Sequence, residues 1–173
     1  MYKLNPSLPQ LGNCAKNTRK ALTMKTSIFH LSFPVRDIES TKEFYVLGLG
    51  CGIGRQSAVG ITLDFHGHQI VAHVTEDLGP PQSSIYPRHF GLVCQTEDEW
   101  TEWRDRAQKN QLAFFREPRR RFSGEPLEHL TFFLKDPSHN LLEFKYYFNA
   151  NAIFGERGFS QIGDDHERQA SEA

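Results

Sequence analysis

The chain has 173 residues, a net charge of −1 and 38% hydrophobic content. That length suits one compact domain or two small fused modules, and the near-neutral charge implies no polyanionic partner such as nucleic acid. No apolar run approaches the roughly 20 residues of a membrane span, so no membrane partner is expected. The three cysteines, Cys14, Cys51 and Cys94, form no CxxC pair. They indicate neither a disulfide framework nor a cysteine zinc site, and a cytoplasmic location fits.

Residues 1–25 carry Lys3, Lys16, Arg19, Lys20 and Lys25 and no acid. They lack the apolar core of a signal peptide and read as a loose extension. Met24, just ahead of the first strand, is a second candidate for the start of translation. "TSIFHLSFPV" (26–35) alternates, with Phe29, Leu31 and Phe33 on one face and His30 and Ser32 on the other. Asp37 is placed to cap a helix "IESTKEFYVLG", which Gly48 and Gly50 end. Three strand-like runs follow at about 51–57, 58–65 and 68–75, then a loop rich in Gly, Pro and Ser. "RHFGLVCQ" (88–95) is again a strand. "EDEWTEWRDRAQKNQ" (97–111) is a polar helix with Trp100, Trp103 and Ala107 on one face. "LAFFREP", "LEHLTFFLKD" and "NLLEFKYY" are three more strands. Residues 149–173, ending "GDDHERQASEA", read as a flexible tail.

The order β-α-β-β-β therefore occurs twice, in modules of about 26–75 and 87–147 within a domain of 26–148. His30 and Asp37 open one module, and His89 and Thr96, at the same spacing, open the other. The expected fold class is α+β: two βαβββ modules forming one curved, cup-shaped mixed sheet with helices outside.

Strand parity selects the candidate site. Glu143 opposes Leu142, Phe144 and Tyr146, the residues placed to pack on a helix. His30 and His73 share the non-helix face of the first module, and His89 and Glu143 that of the second. A pseudo-two-fold relation would gather all four in one concavity. Neutral imidazoles with one carboxylate suit a divalent transition metal, and two His plus one carboxylate suit non-haem Fe(II). The plainer alternative is that Glu143 sits on the wet face of an amphipathic strand.

"FHLSFPVRDIESTKEFY", "RHFGLV" and "FFLKDPSHNLLEF" resemble the vicinal-oxygen-chelate superfamily, over roughly 26–147. That superfamily includes glyoxalase I, methylmalonyl-CoA epimerase, fosfomycin-resistance enzymes, bleomycin-binding proteins and extradiol dioxygenases. "FHGHQIVAHV" with "RHFGLV" resembles a branch described as predicted extradiol dioxygenases. The resemblance implies a metal on His30, His89 and Glu143, with His73 as a fourth ligand in glyoxalase-like members. It implies Fe(II) first, and Zn, Ni, Co, Mn or Mg as substitutes. It also implies a small-molecule substrate and a homodimer.

Three chemistries follow. An extradiol-type dioxygenase would bind a catecholate and O2 at the metal, with His68 or His129 as the base. His129 has the right parity, whereas His68 needs a turn or bulge to reach the site. The dioxygenase signature expects a tyrosine where this chain has Phe132-Phe133. A glyoxalase- or epimerase-like enzyme would use a redox-inert metal to polarise a carbonyl. A binding module would use the cup as an aromatic pocket without a metal. Arg116, Arg119, Arg120 and Arg121 can receive an anion but read first as a solvated loop.

Overall fold

The computed structural model describes residues 27–160, 162 and 163. The extension 1–25 and the last ten residues of the tail lie outside the described residues. The first module comprises β1 (His30–Val35), α1 (Ile38–Lys42, continued by a π-helical turn Glu43–Gly48), β2 (Gly52–Ser57), β3 (Gly60–Phe65) and β4 (His68–Val74). The second comprises β5 (Phe90–Val93), α2 (Glu97–Lys109), β6 (Phe114–Arg121), β7 (His129–Lys135) and β8 (Leu141–Tyr147). Both expected caps form. The Asp37 carboxylate accepts from Ser40 N at 2.7 Å, and Thr96 Oγ1 accepts from Glu99 N at 3.1 Å.

Each module builds a four-stranded mixed sheet, ordered β1-β4-β3-β2 and β5-β8-β7-β6. The first and last strands of each module pair in parallel, and the others pair antiparallel. The α+β class and the repeated module stand as expected. One detail differs: no ladder joins the two sheets among the described residues, so they do not form a single continuous sheet. The sheets meet instead through their apolar, helix-bearing faces. Phe33, Leu63, Phe65 and Ile70 belong to the same buried cluster as Phe132, Leu134, Leu142 and Phe144, with Tyr45, Trp100 and Ala107 from the helices. Ring contacts cross the seam, Phe33 to Phe90 at 5.3 Å and Phe65 to Phe144 at 6.1 Å. Arg106 and Asn110 of α2 donate to the Leu49 and Gly48 carbonyls at the end of the first helix, at 3.1 and 2.7 Å. Burying large aromatic faces against each other is the dominant favourable term here. Its consequence is that the polar faces of both sheets turn outward.

Gly91 decides how closely β5 approaches β8. It pairs with Glu143, and a Cβ built on it would overlap the Glu143 backbone carbonyl. Gly91→Ala is therefore expected to destabilise the protein by about 2–4 kcal/mol, since backbone must move to make room. Urea unfolding monitored by circular dichroism checks this.

Candidate metal and substrate site

The outward face of the second sheet carries the clearest constellation. His89 stands just ahead of β5. Its Nδ1 lies 2.8 Å from the Ile85 carbonyl, which only accepts, so Nδ1 carries the hydrogen. Its Nε2 lies 3.3 Å from Glu143 Oε2. Glu143, in the middle of β8, is 8% exposed. Thr131 Oγ1 on β7 donates to Glu143 Oε1 at 2.7 Å, and Lys145 Nζ lies 3.1 Å from Oε2. Burial alone would raise this carboxyl. The His89 hydrogen bond, the Lys145 charge and the Thr131 hydroxyl outweigh it and hold Glu143 at about 2. The bond to Glu143 in turn raises His89 above its ordinary value, against the effect of burial. Glu143 is thus not a wet-face residue.

This pair fits half of a metal centre. An imidazole whose Nδ1–H is tied to a backbone carbonyl presents Nε2 as a ligand atom, and here Nε2 faces a carboxylate. When His89 is protonated, Nε2–H donates to Glu143 Oε2; the same two atoms are the ones that would hold a divalent cation. Lys145 opposes it, because its ammonium already supplies positive charge beside Oε2.

The expected gathering of four ligands in one chain does not occur. Among the described residues, no three His, Cys, Asp or Glu side chains stand in a group able to hold a metal. His30 lies on the first sheet, exposed, with Nδ1 2.7 Å from Gln69 Oε1. The modules join through their apolar faces, which sends the two polar faces in different directions. His73 is separated even from His30. In the parallel β1–β4 register His30 pairs with Gln69, and His73 pairs with Pro34. Four residues of strand separate the two histidines by about 13 Å. The β4 position beside His30 is held by Gln69, which the sequence reading overlooked. His68 shares its face with the buried Ile70 and Ala72 and packs edge-on to Phe29 at 6.1 Å. No bulge in the β3–β4 ladder turns it toward the polar face.

His129, at the start of β7, lies on the same cavity as the His89–Glu143 pair. Its Nδ1 is 2.8 Å from the Leu127 carbonyl and its ring packs on Phe122 and Tyr147. Burial lowers it to about 4, with Lys145 and Arg121 acting in the same direction. The cavity holds about 450 Å³. Phe133, Tyr147 and Arg121 contribute to its walls, as do Ile153, Glu156 and Phe159 of the chain's C-terminal segment. That segment is not the loose tail expected from composition. Ala150–Ile153 form a 3-10 turn capped by Asn149, whose Nδ2 also donates to Glu156 at 2.8 Å. Lys145 and Thr131, also unflagged as site residues, share the parity of Glu143 and His129. The same alternation that selected Glu143 points to them.

Arg88 is engaged by Gln82, and Arg120 pairs with Glu128, as surface residues do. Arg121 differs from the solvated loop expected of it, being 8% exposed on β6. Cys51 and Cys94 are buried, and burial pushes both thiols up to about 12.

The model of the glyoxalase/bleomycin resistance protein/dioxygenase superfamily matches residues 27–144. The chain belongs to this superfamily. A solved member from Alicyclobacillus acidocaldarius, described by the same three names, is 41% identical over 74% of this chain and 96% of its own, with a TM-score of 0.71. The fosfomycin resistance protein FosX of Listeria monocytogenes shares the fold at 17% identity, covering 75% of this chain and 99% of its own, TM-score 0.55. So does a lactoylglutathione lyase of Agrobacterium tumefaciens, at 15% identity, 75% and 97% coverage and TM-score 0.55. No curated protein sequence matches the chain. No helix among the described residues is long and apolar enough to cross a membrane. Members of the superfamily are often enzymes that use a divalent metal. The matched span ends at residue 144, within β8 and ahead of the C-terminal segment that walls the cavity.

His129 gives a clean pH prediction. It stays neutral in the folded protein down to about 4, whereas its ordinary value is 6.5. The unfolded chain therefore takes up the proton first. Stability is full above pH 6.5 and falls as pH drops toward 4, by on the order of 3 kcal/mol. The Glu143 contribution is lost lower, between 4.5 and 2. The His89 contribution has the opposite sign, being present below 6.5 and lost as pH rises through its raised value. Chemical denaturation of wild type and His129→Phe from pH 7 to 4.5 is expected to show the slope flattened in the variant.

Proposed function

We propose that the protein is a divalent-metal enzyme of the vicinal-oxygen-chelate type. Its metal is held by His89 and Glu143 of one chain and by His30 of a second copy in a homodimer. The observation that carries this reading is the His89–Glu143 pair, an oriented imidazole facing an ionised, buried carboxylate. The separation of His30 from that pair supports the second copy. Gln69 ties His30 by its Nδ1–H and leaves Nε2 outward, matching the arrangement at His89. The third ligand would thus arrive already in the correct tautomer.

Two His and one carboxylate leave open positions, which suits Fe(II) and an extradiol-type dioxygenase acting on a small catecholic or vicinal-oxygen substrate. Fe(II) held by these residues would supply the activation that lets both atoms of O2 enter the ring-opened product of a vicinal diol. This chain's own residues do the rest. His89, neutral and with its hydrogen held on Nδ1 by the Ile85 carbonyl, would present Nε2 to the metal. Thr131 fixes Glu143 Oε1. Phe133, edge-on to His89 at 5.3 Å, gives the substrate ring an apolar wall. Lys145 offsets the charge of an anionic substrate.

A second reading is favoured by Gln69. A glyoxalase- or epimerase-like site with a redox-inert metal would use a further oxygen ligand, and Gln69 would supply its amide oxygen by exchanging the His30 Nδ1–H bond for the metal. The metal-free binding reading draws on Lys145, whose ammonium already neutralises Glu143.

Protein purified anaerobically, without a metal-binding tag, is expected to carry about one Fe per chain and to lose it in Glu143→Ala and in His30→Ala. Mixing the two variants under subunit exchange should restore about a quarter of the wild-type metal, since half the dimers are mixed and each has one intact site. Oxygen uptake with a catechol panel then tests the reaction. Zn, Ni or Co in place of iron, with no O2 uptake, supports the isomerase reading. No metal after reconstitution leaves the binding reading.

Metal affinity is also expected to rise with pH through the raised His89 value, with proton release on binding. Calorimetry in buffers of different ionisation enthalpy measures this.

A further inference from the structure

We infer that the cavity recognises a neutral hydroxyl group at the far end of its ligand through Nε2 of His129, independently of any metal. This rests on the reading of the cavity as the substrate chamber and narrows the substrate class to a compound with an apolar ring-sized body and a distal hydroxyl.

His129 lines the cavity and is 4% exposed; its Nε2 has no hydrogen-bond partner and is closed off in the cavity as it stands, so a ligand hydroxyl reaches it as the adjoining side chains yield. The Leu127 carbonyl requires the hydrogen on Nδ1, so in the neutral ring Nε2 is a bare acceptor. A buried acceptor left unmade is costly, and an orphan in a native cavity is accounted for when its partner arrives with a ligand.

The register places this acceptor well away from the metal end. On β7–β8, Phe133 pairs with Glu143, Thr131 with Lys145, and His129 with Tyr147. His129 therefore lies four residues, about 13 Å of strand, from the level of Glu143. It is not set to act on the oxygens a metal at Glu143 would bind. Its depressed basicity, about 4, likewise suits accepting a hydrogen bond rather than holding a proton. The base expected of it from sequence is thus replaced by a recognition role. The ligand group must be a donor, and Lys145 and Arg121, which already depress His129, disfavour an ammonium. A hydroxyl meets both conditions. The Phe122 and Tyr147 rings, 5.5 and 5.0 Å from His129, flank it, and Ile153 adds apolar surface to the cavity.

The test uses metal-free protein and two probes of equal shape, phenol and toluene, with calorimetric titration. Wild type is expected to bind both, and His129→Phe to lower the phenol-to-toluene affinity ratio about tenfold. His129→Gln, which keeps an acceptor oxygen, should recover part of the ratio. In wild type, the ¹⁵N resonance of His129 Nε2 should shift with phenol and not with toluene, a readout that needs no variant. An unchanged ratio in His129→Phe, an unmoved resonance, or no binding of either probe overturns the proposal. Metal content plays no part in this readout. A protein that takes no metal yet shows the phenol preference rejects the metal reading and keeps this one.

Discussion

Glu143 is a carboxylate set in the middle of a strand between two fully buried core residues, Leu142 and Phe144. It can stay ionised there only if donors surround it. They come from three strand positions: Thr131 on β7, Lys145 two residues on, and His89 at the mouth of β5. The local architecture follows from that demand. β5 must run parallel to β8 and close enough to bring His89 within reach, which makes a side chain at Gly91 intolerable. The Ile85 carbonyl must receive the other imidazole nitrogen, which holds the loop before β5 in place.

The same device appears three times. His30, His89 and His129 each donate Nδ1–H to an oxygen, of Gln69, Ile85 and Leu127. Each therefore offers Nε2. A fixed tautomer turns an imidazole into a directed acceptor or ligand. What differs is the surroundings: exposed on the first sheet at His30, against a carboxylate at His89, and, at His129, an unpartnered Nε2 on a ring packed by Phe122 and Tyr147 with Arg121 and Lys145 nearby. Those surroundings are what support the three different roles proposed above for His30, His89 and His129.

Much of this was legible as pattern. The repeated βαβββ order, the caps at Asp37 and Thr96, and the opposed faces of β8 follow from local periodicity and capping chemistry, and these operate within a few residues. The pairing of His89 with Glu143 was legible too, because parity put both on the polar face of one module. Gln69 was missed and His73 preferred for a concrete reason: parity names a face but not a level along the strand. Only the β1–β4 register shows that Gln69 stands beside His30. The C-terminal segment was read as a tail from its composition, yet Asn149 and Glu156 bond within it and several of its residues line the cavity.

By itself, then, the sequence determined the elements, the face on which each candidate residue lies and the superfamily, since all three are written in short-range patterns of residue type. The tertiary structure decided which of those residues meet. The two aromatic faces bury each other, and so the first and second polar faces part. That choice is energetic and long-range. It keeps His30 apart from the His89–Glu143 pair and leaves it exposed, while the β7–β8 register places His129 four residues along the strand from the level of Glu143.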